Sequence, residues 1–110
     1  MGAFIGRPQR RAMIRTGTYQ GDGLDDRDID IGVDLAAKAN VCIIIKGQDT
    51  NQGIWRIEYG QGDLTMFFGT TTDGPDYIQG LTSTGFQVGA GVNANGNGIT
   101  FRYAVFWQES

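Results

Sequence analysis

Glycine is the residue that most limits what this chain can fold into. Eighteen glycines are spread over 110 residues with no collagen period, whereas an ordinary chain has a share of roughly 7%. They fall in short polar groups, GDG, GQD, GQGD, DGPD and NANGNG, which separate segments of strand length. Groups of this composition are typical of tight turns. The spacing therefore predicts many short strands.

The segments between these groups show the alternation expected of strands. In "DIDIGVD", Ile29, Ile31 and Val33 share one face and acidic residues occupy the other, which is the pattern of a half-buried strand. The continuous apolar run "NVCIIIKG" predicts a central strand covered on both faces, or an interface strand. Only "VDLAAKAN" has helical character, and we expect one or two turns there.

These patterns predict an all-β fold, an antiparallel β-sandwich or jelly-roll-like barrel of about eight short strands. The chain is long enough for one domain and one core. We assign the sandwich to residues 12–110 and an extended basic N-terminal arm to residues 1–11. Gly2, Gly6 and Pro8 interrupt regular structure in that arm, and such arms are often ordered by a neighbouring subunit.

Charge is distributed unevenly along the chain. Four of the nine basic residues are Arg7, Arg10, Arg11 and Arg15, and six of the twelve acidic residues lie between positions 22 and 34. This separation is typical of subunits that meet head to tail, or of an arm that lies on an acidic partner. Solvated surface charge is the simpler alternative. The net charge of −3 argues against nucleic acid as a partner.

The residue inventory argues against an enzyme. The chain has no histidine, which excludes Ser-His-Asp, Cys-His and His-metal chemistry. Cys42 is the only cysteine, and its apolar run favours a small buried hydrophobe over a nucleophile. The glycine-rich loops lack the lysine of a phosphate-binding loop. We therefore predict no catalytic residues and no cofactor.

The acidic stretch suggests calcium only at first sight. Asp26, Asp28 and Asp30 have the spacing of an EF-hand loop, but Ile31 and Ala37 stand where that loop needs glycine and glutamate. We predict no metal site. A weaker site formed by Asp22, Asp25 and Asp26 at the turn is an alternative.

Membrane and export signals are not expected. No apolar stretch approaches the roughly 20 residues of a membrane span. The first residues, "MGAFIGRPQRRAM", lack the apolar core of a signal peptide. Synthesis and assembly in a cytoplasm is the resulting expectation.

The C-terminal segment "VNANGNGITFRYAVFWQES" combines a polar loop with an aromatic strand. Asn-Gly pairs at positions 95–96 and 97–98 predict a hairpin turn that sets the register of the last strand. One face of that strand is apolar enough for the core. The other carries Arg102 and Phe106, a pairing more typical of a subunit contact than of open solvent. The predicted core residues are Phe101, Tyr103, Val105 and Trp107.

Three aromatics could instead recognise a sugar. Trp55, Tyr59 and Tyr77 would stack on a sugar ring if they were exposed at a loop-bearing end of the sandwich. Burial in the core is the alternative for each of them.

Most of the chain, from about Gly17 to Trp107, resembles a group of small β domains found in structural proteins of tailed bacteriophages and prophages. The similarity lies in "GTYQGDG", in the "IIIKG" of the middle strand, and in "GFQVGAGVNANGNGITFRYAVFW". The matching residues are Gly17, Tyr19, Gly21, Asp22, Gly23, Ile43, Ile45, Lys46, Gly85, Phe86, Val88, Gly89, Val92, Asn93, Gly96, Tyr103, Ala104 and Phe106.

The resemblance implies a virion component. We expect a capsid decoration or cement protein, or a tail-associated one, that forms a homo-oligomer with a trimer as the expected state. Its partners would be further copies of itself and the major capsid or other virion proteins. Arg7, Arg10 and Arg11 would contact a neighbour through the arm, and Arg102 and Phe106 would form a subunit contact. A carbohydrate-binding module of a tail fibre or other surface lectin is the alternative function.

Overall fold

The computed structural model describes residues 11–57, 65–69, 73–74 and 76–109. Within these residues the chain forms nine β-strands, one 3-10 turn at Leu35–Ala37 and one single-turn helix, α1, at Val92–Asn95. The strands are β1 (Arg11–Gln20), β2 (Arg27–Asp30), β3 (Ala39–Gly47), β4 (Ile54–Ile57), β5 (Thr65–Phe67), β6 (Asp73–Gly74), β7 (Ile78–Leu81), β8 (Gly85–Val88) and β9 (Thr100–Glu109).

The strands form two antiparallel sheets, which confirms the all-β, sandwich-like prediction. The large sheet has the order β1-β9-β3-β4-β5-β6, and the small sheet has the order β2-β8-β7. All pairs in both sheets are antiparallel. The additional strand relative to the prediction is β6, whose two residues are too few to show an alternating pattern. The single 3-10 turn agrees with the limited helical character predicted for that segment.

The core lies between the inner faces of the two sheets. Phe86 of the small sheet packs edge-on against Tyr103 and Tyr19 of the large sheet, with ring centroids 5.7 and 6.4 Å apart. On β9, Phe101, Val105 and Trp107 are at most 3% exposed, so the predicted core face is confirmed, with Tyr103 partly buried against it. The other core residues are Ile29, Ile31, Leu35, Val41, Ile43, Ile45, Ile54, Ile78, Val88 and Ala94.

The predicted hairpin before β9 is wrong, although Asn97-Gly98 does form a turn before β9, closed by a 3.1 Å hydrogen bond from the Ile99 amide to the Gly96 carbonyl. β8 belongs to the small sheet and β9 to the large one, so the intervening segment crosses between sheets and includes α1. The physical reason is the burial of Asn95, whose side chain is 0% exposed and bonds the loop that follows β1. An asparagine used in this way cannot serve as a solvent-exposed turn residue.

Arg11, the last residue of the predicted arm, lies within the large sheet. Arg11 is the first residue of β1 and lies opposite Glu109 in the sheet, so it belongs to the sandwich. Arg7 and Arg10 lie outside the described residues. Among the residues that are described, no helix has the length and hydropathy of a membrane span.

Candidate functional site

The outer faces of the two sheets differ in chemistry. The outer face of the small sheet is polar: Asp28 and Asp30 of β2 are exposed, and the Asp28 carboxylate accepts a 3.2 Å hydrogen bond from the Gln87 amide of β8. Such a face is well solvated. The outer face of the large sheet is the candidate site because apolar side chains run across its middle.

The first row of the outer face crosses four strands. Ile14 of β1 lies opposite Phe106 of β9, Phe106 opposite Cys42 of β3, and Cys42 opposite Ile57 of β4. The row is solvent-accessible, since Ile14 is 56% exposed, Ile57 42% and Phe106 38%. Cys42 is half-buried between its neighbours. Four apolar side chains are thus aligned across the sheet at its surface.

The second row continues the apolar surface toward β5. Ala104, Ile44, Trp55 and Met66 are successive cross-strand neighbours, and all four are half-buried. Phe68, just beyond β5, is 59% exposed, and its ring lies 6.4 Å from that of Trp55 at an angle of 51°. We call the two rows and Phe68 the apolar outer face.

Basic side chains border the apolar outer face on one side. Arg102 and Lys46 are directly opposite each other on β9 and β3, an arrangement that is unfavourable for like charges. The ammonium group of Lys46 is partly compensated by the Asp49 carboxylate at 3.7 Å and donates to the Asp49 carbonyl at 3.0 Å. Arg102 is exposed and makes no ion pair with any described residue, so its guanidinium is available at the border.

Cys42 contributes shape and apolar character to this face. Burial raises the pKa of its thiol, which keeps the sulfur protonated and poorly nucleophilic at neutral pH. The side chain therefore acts there as a small hydrophobe, but it is half-buried on the outer face and not in the core as its sequence context had suggested.

A polar cluster lies elsewhere, at the end of the sandwich near α1. The Asn95 amide donates to the Asp22 carboxylate at 2.7 Å and to the Leu24 carbonyl at 2.8 Å. Its oxygen accepts from the Arg27 guanidinium at 3.1 Å. The hydrogen bond from the Leu24 amide, aided by Asn95 and Arg27, lowers the pKa of Asp22. Across the described ranges, no three His, Cys, Asp or Glu side chains converge as metal ligands.

The predicted site residues separate into different regions. Arg102 and Phe106 both lie on the exposed side of β9, as the alternation indicated. Trp55 lies in the middle of the apolar outer face, whereas Tyr77 packs against the core with its ring edge-on to Phe67 at 4.9 Å. The structure thus does not bring Trp55 and Tyr77 together. Tyr59 lies outside the described residues.

Sequence reasoning missed several residues of this face, including Ile14, Ile44, Ile57 and Phe68. One signal was present: "NVCIIIKG" and "GIWRIEYG" carry large apolar residues at both alternating positions. A strand with two apolar faces inside a two-layer fold must present one of them outward, where a partner can cover it.

No family model, curated protein or solved structure matches the chain.

Proposed function

We propose that the protein is a structural subunit of a tailed-bacteriophage virion, a capsid decoration or cement protein that stabilises the particle through contacts between subunits. The observation that carries the proposal is the contrast between the polar outer face of the small sheet and the apolar outer face of the large sheet. The virion assignment itself rests on the resemblance to phage structural domains described above. The proposed function involves no catalysis.

The apolar outer face has the chemistry of a protein contact. Monomeric soluble proteins expose apolar side chains singly and seldom as a continuous surface. Here three large apolar side chains, Ile14, Ile57 and Phe106, are each more than a third exposed and lie in one row with Cys42. An interface of standard size buries around 1,600 Å², and repetition of such a contact over a shell would add many small stabilising contributions.

Arg102 would give this contact its orientation. Arginine is enriched at protein interfaces because its planar guanidinium can pair with carboxylates and stack on apolar groups. Its exposed position at the border places a positive charge beside an apolar surface. A neighbouring subunit or capsid protein that presents a carboxylate at that border would be preferred over one that does not.

The test measures assembly and particle binding with matched variants. Phe106→Asp places a charge in the middle of the apolar outer face, and Thr84→Asp introduces the same charge at an exposed site in the loop before β8. The mass in solution comes from light scattering. Binding comes from co-sedimentation with capsids and tails of the phage or prophage whose genome encodes the sequence.

We expect the parent chain and Thr84→Asp to form oligomers or bind particles. Phe106→Asp should lose the oligomerisation or particle binding that the parent shows, while its circular dichroism spectrum is unchanged. Deletion of residues 1–10, which leaves β1 intact, tests the arm: the loss of one of the two properties would support arm contacts with a neighbour. A full-length chain that stays monomeric and ignores both capsids and tails would overturn the proposal.

Carbohydrate binding is the second proposal, and it rests on the Trp55–Phe68 pair. Two accessible rings on one surface can stack on the apolar face of a sugar. Loss of glycan-array binding in Trp55→Ala, with retention in Tyr77→Phe, would support it. The absence of any glycan binding by the parent chain would reject it.

A further inference from the structure

The free edges of the two sheets differ in length and regularity. Among the described strands, β6 has two residues, β2 has four, and β7 has four with an irregular register. β1 has ten residues and pairs with β9 without a register shift. Proteins usually protect sheet edges by keeping them short, bulged, charged or covered. Only β1, of these four edges, is long and regular.

The backbone groups that face the free edge of β1 follow from its pairing. Gly21 donates a 2.8 Å hydrogen bond to the Ile99 carbonyl, which continues the β1–β9 register beyond Gln20 and Thr100. Antiparallel pairing makes every second residue bond to the partner strand. The odd-numbered residues of β1 therefore bond to β9, and the even-numbered ones present their N–H and C=O groups outward. They are Ala12, Ile14, Thr16, Thr18 and Gln20.

The far end of this edge is already occupied. The Arg27 guanidinium donates to the carbonyl of Gln20, which confirms that the even-numbered carbonyls point away from β9. For the segment from Ala12 to Thr18 no such partner exists among the described residues. A further strand can therefore add only along this part of β1.

We propose that β1 pairs antiparallel with β1 of a second copy of this chain, around a two-fold axis at Ile14. The two large sheets then join into one continuous sheet. In this register three residue pairs, Ile14 with Ile14 and Ala12 with Thr16 twice, supply about six hydrogen bonds between the copies. This contact adds to the proposed subunit function and does not depend on a location in the virion.

Charge selects among the possible registers. An axis at Arg15 would place Arg15 opposite Arg15 of the second copy. An axis at Met13 would place Arg15 opposite Arg11 of the second copy. Like charges directly opposite each other are destabilising in a sheet. An axis at Ile14 sets Arg15 opposite Met13 and Arg11 opposite Gly17. The Ile14 register thus avoids both direct clashes of arginines.

Apolar continuity selects the Ile14 axis over an axis at Thr16. With the axis at Ile14, the two exposed Ile14 side chains meet at the junction, each beside its own Phe106. The apolar outer faces of the two copies then become one surface. With the axis at Thr16, each Ile14 would lie opposite Thr18 of the other copy. The outermost pair would join Ala12 to Gln20, but the Gln20 carbonyl already accepts a hydrogen bond from Arg27.

Disulfide trapping of the full chain tests the register. In a Cys42→Ala background, Ile14→Cys places two thiols in a hydrogen-bonded pair with a Cα separation of about 5.5 Å, inside the disulfide range of roughly 4.4–6.8 Å. The matched control, Thr18→Cys, places its thiols about 27 Å apart in the same register. After mild oxidation we expect a dimer band for Ile14→Cys and a monomer for Thr18→Cys.

A second pair of variants tests strand addition without a disulfide. Thr16→Pro removes an outward N–H that β9 does not use, which an edge strand tolerates, and Thr16→Val keeps it. We expect Thr16→Pro to weaken self-association by about tenfold, and Thr16→Val to leave it unchanged. Three results would overturn the inference. Cysteines at positions 14 and 18 could cross-link equally, or Thr16→Cys could cross-link better than Ile14→Cys, which would indicate a different axis. The two Thr16 variants, Thr16→Pro and Thr16→Val, could also self-associate equally. Particle binding that persists in those cases would leave the proposed function standing.

Discussion

The side-chain amide of Asn95 donates a 2.7 Å hydrogen bond to the carboxylate of Asp22, a residue 73 positions earlier in the chain. The same amide also bonds the Leu24 carbonyl, and its oxygen accepts from the Asp22 amide and the Arg27 guanidinium. One fully buried side chain therefore fastens α1 to the loop that follows β1.

Asn95→Ala should destabilise the fold by about 3 kcal/mol, because it leaves several polar groups without partners. The free energy of unfolding from urea denaturation measures this. Asn97→Ala, two residues away at an exposed position, is the matched control and should change stability by less than about 0.5 kcal/mol. Similar losses in both variants would contradict the role of Asn95.

Gly21→Ala should be strongly destabilising, and Gly80→Ala should be tolerated. A Cβ atom at Gly21 would lie 2.0 Å from the carbonyl oxygen of Gly96, a backbone atom, whereas a Cβ at Gly80 meets nothing within 4 Å. Relief of the first clash must move the loop, at a cost of about 2 kcal/mol or more. Thermal unfolding of the two variants side by side checks the contrast. Equal melting temperatures would show that the loop yields easily.

Thr65 should be replaceable by serine but not by valine. Its buried hydroxyl accepts from the Ile78 amide at 2.9 Å and donates to the Ile78 carbonyl at 3.2 Å. Valine keeps the shape but leaves the buried amide unpaired, which costs about 1–3 kcal/mol, whereas serine keeps both bonds. Urea denaturation should therefore rank parent and Thr65→Ser above Thr65→Val. The reverse order of the two variants would indicate that packing outweighs these bonds.

Tyr19 should make the fold sensitive to alkaline pH. Burial raises its pKa above the ordinary value, with a smaller opposing effect of Arg27, and its hydroxyl donates to the Ala94 carbonyl at 2.5 Å. The unfolded chain loses this proton near pH 10, while the folded chain keeps it. The contribution to stability is therefore complete below pH 10 and declines as the pH rises further.

The matched variant for this effect is Tyr19→Phe, which cannot ionise. At pH 8 it should lose about 1 kcal/mol from the missing hydrogen bond. Between pH 9 and 11 its urea midpoint should fall less than that of the parent chain. Parallel pH profiles for the two chains would contradict a buried, protonated Tyr19.

Local patterns predicted the strands well, because burial on one side imposes a period of two. The alternation in "ITFRYAVFW" placed Phe101, Val105 and Trp107 in the core and Arg102 and Phe106 outside, as observed. β6 escaped detection because two residues carry no period. For β3 the continuous apolar run left two alternatives, a strand covered on both faces or an interface strand, since an apolar residue does not reveal from sequence what covers it.

The segment around Asn95 shows where such reasoning fails. Asn-Gly pairs are strong hairpin signals when the flanking strands are neighbours, but here the flanking strands belong to different sheets. Whether an asparagine faces solvent or a partner 73 residues away depends on long-range packing. The edge of β1 is a similar case, because an edge position is a property of the sheet order and no local pattern encodes it.

The position of β9 has a consequence for biosynthesis. β9 lies between β1 and β3 in the large sheet, yet it is the last strand of the described chain to be translated. During synthesis β1 has no neighbouring strand to pair with until β9 is made, whereas β3 can already pair with β4. Completion of the large sheet is therefore a late event that requires residues 100–109 to leave the ribosome, and until then the edges of β1 and β3 that β9 will cover are open to pairing with other chains.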